Sequence, residues 1–187
     1  MYSFRMNNTP EQILNTKDLT NKHGDSPDGK LIHVSVNLQQ LALYAHDQLL
    51  QRWPVSTALN GIGNRNGSFK TPTGIHRIAE MIGDGTVPGT VFKGRVATDQ
   101  CVDPDARPSA TDEDLITSRI LWLQGLEPGI NQGGEVDSHQ RYIYIHGTAN
   151  EARIGEPVSQ GCIRMTNTDV ITLFEQVKPG TLVVIHA

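Results

Sequence analysis

This sequence predicts a mainly β, loop-rich domain carrying one or two short helices. Three observations lead there. Short runs rich in β-branched and aromatic residues recur along the chain, among them residues 31–36, 40–44 and 141–145. Eighteen glycines and ten prolines supply turn positions between them. The chain has 187 residues, 37% hydrophobic and 19% charged, which suits one globular domain with a core of ordinary size.

Taken in order, residues 1–30 are polar and read as an N-terminal extension, with a short helix near residues 10–14 and then a loop. The main domain is expected over residues 31–187. Strands are expected near 31–37, 40–45 and 48–56, with turns at Gln39-Gln40 and Ala45-His46-Asp47. The segment from Gly61 to Gly67 reads as a flexible loop. It is not a phosphate loop, because no Gly-Lys-Ser/Thr follows. A further strand is expected at 74–81. Another at 115–123 alternates weakly, because Ser118 shares parity with Ile116, Ile120 and Trp122. Residues 83–114 and 125–140 read as loops able to wall a site. No internal repeat is evident.

The stretch 141–145 reads as a strand in which Ile143 and Ile145 alternate with Tyr142 and Tyr144. The tyrosine face is expected to pack rather than react. His146 is placed at the strand's C-terminal end, and Gly147 ends the run. A loop over 147–158 follows. A helix should then begin with Asn167 as N-cap and Asp169 in its first turn. Val170, Leu173, Phe174 and Val177 form its apolar face, and Pro179-Gly180 stops it.

The chemistry concentrates between His146 and Cys162. A cysteine thiol has an ordinary pKa of about 8.5, so little of it is thiolate at neutral pH. A neighbouring imidazole can take the proton, and the imidazolium then stabilises the thiolate. The thiolate attacks a carbonyl carbon, and the backbone N–H groups of Gly161 and Cys162 are candidate donors to the oxyanion. Gly161 leaves room for substrate and permits unusual φ values. Arg164 could hold a carboxylate through a bidentate pair or fill a structural ion pair. Arg119, inside an apolar strand, needs a partner: a structural ion pair, or a substrate carboxylate. Cys101 lies in a Pro/Asp-rich stretch without a motif and reads as incidental.

Other classes fit less well. Seven histidines and two cysteines raise the question of zinc, but no C-x₂-C or H-x₃-H spacing is present. His139, His146, Cys162 and His186 would have to converge without a signature, so no metal and no cofactor are expected. The net charge is −4 with no basic cluster, which argues against nucleic acid and against an anionic membrane surface. No run approaches the roughly 18 apolar residues of a membrane span. The first twenty residues lack a basic segment followed by an apolar core, so a cytoplasmic location with reduced thiols is expected, or a periplasmic one if a leader has been removed. The N-x-[ST] triplets at Asn7 and Asn66 then read as accidental.

The residues Ile145-His146-Gly147-Thr148, Ile154-Gly155 and Val158-Ser159-Gln160-Gly161-Cys162-Ile163-Arg164-Met165 resemble the signature of the L,D-transpeptidase catalytic domain, the YkuD-like family. Residues 31–36, 40–44, 54–57, 71–74 and 180–185 resemble its other landmarks, the last of them its final strand, so the resemblance covers roughly residues 31 to 187 and implies a β-sandwich or barrel. It implies Cys162 as nucleophile and His146 as base, with the Gly147 carbonyl orienting the imidazole and Ser159 and Gly161 in support. Many members carry histidine where this chain has Gln160. Gln160 hydrogen-bonds but does not titrate, so it can alter substrate contacts without removing the base. The implied substrate is the peptidoglycan stem tetrapeptide, cleaved between meso-diaminopimelate and D-Ala through a thioester. Water as acceptor makes an L,D-carboxypeptidase of muropeptide recycling, the outcome favoured by a cytoplasmic location. An amine acceptor makes an exported transpeptidase forming 3–3 cross-links or exchanging D-amino acids. A peptidoglycan-binding module without turnover is the remaining alternative. The resemblance also implies acylation of Cys162 by carbapenems.

Overall fold

A computed structural model describes residue 24, residues 26–103 and residues 115–187. The helix expected near residues 10–14 lies outside them. Ten strands form one mixed sheet: β1 (Lys30–Ser35), β2 (Gln40–Ala45), β3 (Gln48–Pro54), β4 (Gly74–Ile82), β5 (Thr90–Lys93), β6 (Val96–Cys101), β7 (Ile116–Gly125), β8 (Tyr144–Thr148), β9 (Ile163–Met165) and β10 (Leu182–His186). A helix, α1 (Asn167–Gln176), connects β9 to β10. The strands run β3-β2-β1-β10-β4-β7-β5-β6, and β8 pairs with both β7 and β9. Two pairings, β1 with β10 and β8 with β9, are parallel.

Period-two alternation builds the core. Ile32 and Val34 of β1, Leu41 and Leu43 of β2, and Val183 and Ile185 of β10 point to one side. There they meet Leu121 and Leu123 of β7, Ile145 of β8, Ile163 and Met165 of β9, and Val170, Leu173 and Phe174 of α1. The sheet therefore folds over its own inner face, with the helix sealing the core.

The weak alternation of β7 has a physical cause. Its register slips between Thr117 and Ile120, where Ser118 takes φ 63°. Beyond this bulge the strand is buried on both faces. Leu121 and Leu123 enter the main core, while Ile120 and Trp122 join a second cluster with Phe92 and Tyr144. A strand buried on both faces reads as a continuous apolar run, not as alternation.

Four expectations need correction. Residues 83–114 are not all loop, since 90–93 and 96–101 form the β5–β6 hairpin. The strand expected from Arg141 begins at Tyr144, because Tyr142 lies in a turn with φ 55°. His146 consequently sits mid-strand, and Gly147 continues the strand instead of ending it. The N-cap is Thr166, whose hydroxyl accepts from the Asp169 N–H at 3.1 Å. Asn167 is the first helical residue and is recruited elsewhere. Its side-chain oxygen accepts from the Thr117 and Ser118 hydroxyls, and its amide donates to Thr148 O and to Glu151. It ties the helix start to β7 and β8.

His76 of β4 is wholly buried, with Nδ1 3.1 Å from Gly74 O and Nε2 3.0 Å from the Ser138 hydroxyl. Burial pushes its pKa down from 6.5 to about 4. The unfolded chain binds this proton near pH 6.5 and the folded chain only near 4. The fold therefore loses stability as pH falls through that window, by about 2 kcal/mol between pH 6.5 and 5 from this group. Urea midpoints across the window should decline less steeply in His76→Gln than in the wild type. Parallel curves would remove His76 as the cause.

Candidate active site

β8 carries His146, and Cys162 directly precedes β9. The parallel register of the two strands pairs Ile145 with Ile163 and His146 with Arg164. Ile145 and Ile163 both enter the main core. Alternation turns Tyr144, His146, Cys162 and Arg164 to the opposite face. His146 and Cys162 are then diagonal neighbours on one face of adjacent chain segments.

His146 is buried, and its Nδ1 lies 2.7 Å from Gly147 O. A carbonyl oxygen only accepts, so Nδ1 carries the proton and the neutral ring keeps its lone pair on Nε2. That is the tautomer a base acting through Nε2 needs. Gly147 itself is demanded by packing: a Cβ there would come within 2.7 Å of Thr117 O and 2.8 Å of Asn167 Oδ1.

Cys162 is a half-buried thiol outside any disulfide. Its Sγ lies 3.4 Å from the Tyr144 N–H and 3.4 Å from Tyr142 O. The thiol can donate to that carbonyl. Once ionised, the sulfur keeps the Tyr144 N–H as a donor, which favours the thiolate. Arg141 supplies a positive charge nearby: burial pulls its guanidinium below its usual pKa, and the charge of Cys162 acts in the opposite sense. Three carbonyls fix this arginine, those of Gly63 (3.2 Å), Asn64 (2.8 Å) and Lys70 (2.6 Å).

The turn before the thiol is closed by Ser159. Its hydroxyl donates to Cys162 O at 2.6 Å and accepts from the Gly161 N–H at 3.2 Å. Gly161 takes φ 135°, and its carbonyl accepts from the Thr71 hydroxyl at 3.0 Å. The Gly161 N–H, expected as an oxyanion donor, is thus engaged within the turn.

The remaining candidates separate. Gln160 is exposed beside the turn. Arg164 is buried, and its backbone pairs with Ser56 on one side and β8 on the other. Arg119 turns toward the helix: its guanidinium lies 5.5 Å from the Phe174 ring and donates to Thr86 and to Ser118 O. Phe174 belongs to the main core, so Arg119 does not join the face that carries Cys162. The four residues considered for zinc also disperse. His186 stacks on His33 at 4.3 Å, while His139 stacks on Trp122 at 3.9 Å. Among the described residues, no three His, Cys, Asp or Glu side chains are grouped to hold a metal ion.

Comparison with known proteins places this geometry. The family model for the YkuD L,D-transpeptidase catalytic domain matches residues 29–185. The chain belongs to the L,D-transpeptidase catalytic domain family. Over 158 residues it is 27% identical to the Escherichia coli (strain K12) protein named "Probable L,D-transpeptidase YcfS", an alignment covering 84% of this chain and 44% of that protein. The chain thus spans less than half the length of this relative. Two solved structures share the fold. L,D-transpeptidase 3 from Mycobacterium tuberculosis, in complex with a faropenem-derived adduct, superposes with TM-score 0.52 at 13% identity, covering 85% of this chain and 60% of that one. The L,D-transpeptidase from Xylanimonas cellulosilytica does so with TM-score 0.50 at 14% identity, covering 93% and 71%.

Sequence reading overlooked Arg141, Arg95 and Trp122 as neighbours of the L,D-transpeptidase motif. For Arg141 a signal existed: a cation five residues before the histidine, at the entrance to its strand. Arg95 and Trp122 had none, because their approach depends on the β5–β6 hairpin and the β7 bulge.

Proposed function

We propose that this domain is a cysteine acyl-transfer enzyme acting on peptidoglycan tetrapeptide stems, with water as the acceptor. The observation that carries the reading is the His146 tautomer, Nδ1 held on Gly147 O so that Nε2 is the basic nitrogen, on the sheet face that bears Cys162. His146 Nε2 takes the thiol proton, and Sγ attacks the carbonyl carbon of the diaminopimelate L-centre. The Cys162 N–H is the donor we assign to the oxyanion. As the tetrahedral intermediate collapses, the imidazolium gives its proton to the departing D-Ala nitrogen and a thioester remains. Nε2 then takes a proton from water, the hydroxide adds to the thioester carbon, and the sulfur leaves. The product is a tripeptide with a new carboxylate.

The half-exposed sulfur, with exposed Gln160 and Tyr142 beside it, supports water as acceptor. We assign the activity to soluble muropeptides, and a cytoplasmic setting for them belongs to the same proposal. An amine in place of water would give transfer instead, as in a cross-linking enzyme.

Disaccharide tetrapeptide, incubated alone and with a D-amino acid and weighed by mass spectrometry, tests this reading. Tripeptide with release of D-Ala is expected in both reactions. A product carrying the added D-amino acid, or a dimer, would replace hydrolysis with transfer. Unchanged substrate would leave only a binding role. A carbapenem should add its mass to the peptide bearing Cys162 and not to that bearing Cys101.

A further inference from the structure

Beside Cys162 stands a group of side chains that the thioester chemistry does not use. Trp122 and Tyr144 belong to the cluster against which Cys162 packs. Their rings meet edge to face at 5.7 Å, and the Tyr142 ring lies 5.8 Å from Trp122. The Arg95 guanidinium lies over this surface, 4.4 Å from the Trp122 ring and 5.2 Å from that of Tyr142, and donates to the Tyr144 hydroxyl at 3.1 Å. The same Tyr144 donates its backbone N–H to the Cys162 sulfur. One tyrosine side chain thus separates the nucleophile from a fixed cation.

Two further facts set Arg95 apart. It occupies the tip of the β5–β6 hairpin, where Lys93 pairs with Val96 across a two-residue turn, Gly94 and Arg95, with φ 56° and 69°. Both central residues of such a turn need positive φ, and the second is ordinarily glycine. An arginine held there is strained, and strain of this kind gathers at functional sites. Second, the cation lacks a close acid. Among the described residues no carboxylate lies within 4.0 Å of it, and Glu80, whose charge acts on it from farther off, lies 3.7 Å from His139 Nε2. A guanidinium has five N–H donors, so the single hydrogen bond to Tyr144 leaves a fork able to take a carboxylate bidentately.

We propose that Arg95 is a specificity-determining residue that binds the side-chain carboxylate of the stem residue whose carbonyl Cys162 attacks. This rests on the stem-peptide reading above. The match is one of order: the terminal carboxylate of a diaminopimelate side chain lies several bonds away from the carbonyl carbon that is attacked, and the guanidinium lies one tyrosine side chain away from the sulfur. The leaving D-Ala carboxylate is much nearer the scissile bond. The exposed Tyr142 ring would cover the methylene chain, while the buried Trp122 ring holds the guanidinium in place.

The test compares two synthetic tetrapeptides, one with the diaminopimelate side-chain carboxylate free and one with it amidated, on wild type, Arg95→Gly and Arg95→Lys. Glycine suits the positive φ of the turn, so Arg95→Gly removes the guanidinium and relieves strain together. Wild type should prefer the free acid by about 10- to 100-fold in kcat/KM, mainly through KM. Arg95→Gly should lose that preference while keeping its rate on the amide within about twofold. Arg95→Lys should retain part of the preference through charge alone. Equal losses on both peptides, or an undiminished preference in Arg95→Gly, would overturn the assignment and leave the thioester reading standing. Turnover of neither peptide by the wild type would instead remove the stem-peptide reading, and this proposal with it.

Discussion

Cys162→Ala is expected to abolish turnover of the tetrapeptide and to leave the fold in place. The sulfur is the protein atom that bonds to substrate carbon in the proposed reaction, and a methyl group cannot replace it. The structural cost is small. Cys162 packs at the margin of the Trp122–Tyr144 cluster and is only half-buried. Its sulfur gives up two 3.4 Å contacts with backbone groups of Tyr142 and Tyr144, weak for hydrogen bonds. A loss of stability of about 1 kcal/mol or less follows. Three measurements separate the readings: tripeptide formation, intact mass after exposure to a carbapenem, and the urea midpoint. No tripeptide, no adduct and a near-normal midpoint are expected. Wild-type rates in the variant would end the thioester mechanism outright.

The sequence carried the fold where local pattern and burial agree. β1, β2 and β4 fall within a residue or two of expectation, because Ile32 and Val34, Leu41 and Leu43, and Ile78 enter the main core from runs bounded by turn residues. It carried less where the backbone departs from regularity. Ser118 shifts the β7 register and Tyr142 delays the start of β8, both through positive φ at residues that rarely adopt it. The β5–β6 hairpin escaped notice because its strands are short, and β6 is largely exposed, with the pattern Val-Ala-Thr-Asp-Gln-Cys. β9 was hidden for another reason: Ile163, Arg164 and Met165 are all buried, so three residues show no alternation at all.

The motif singled out His146 and Cys162 by residue type, and the β8–β9 register sets them on one face of the sheet. Residue type said less about the arginines. An arginine in an apolar strand suggests a charged partner, yet Arg119 is held by carbonyl and hydroxyl oxygens and by the face of Phe174. The cations on the thiol's side, Arg141 and Arg95, lie in turns outside the regular strands. Backbone strain marks the same region: Arg95, Ser118 and Tyr142 all hold positive φ around the Cys162 cluster. Strained residues persist only where surrounding contacts over-determine them. Here the contacts are the Arg95–Tyr144 hydrogen bond, the Ser118–Asn167 bond and the Trp122–Tyr142 ring contact.

His146→Gln should lower turnover by about 10²- to 10⁴-fold at pH 7, the usual contribution of a positioned acid–base group. Glutamine is the informative replacement: its amide can still donate to Gly147 O, but it cannot titrate. The proposed role of His146 has two parts, and they can be measured apart. Alkylation of Cys162 by iodoacetamide needs the thiolate but no protonated leaving group. Without the imidazole the thiol should return toward an ordinary pKa of about 8.5, so alkylation should slow by roughly 10- to 30-fold at pH 7 and approach the wild-type rate by pH 9. Exposed Cys101 also reacts, so the rate must be read on the Cys162 peptide. Turnover should not recover at pH 9, because the D-Ala nitrogen still lacks its proton donor and water its base. If turnover rises in step with alkylation, His146 acts on the sulfur alone. If neither rate changes at pH 7, the base lies elsewhere, and the 2.7 Å bond from Nδ1 to Gly147 O is structural.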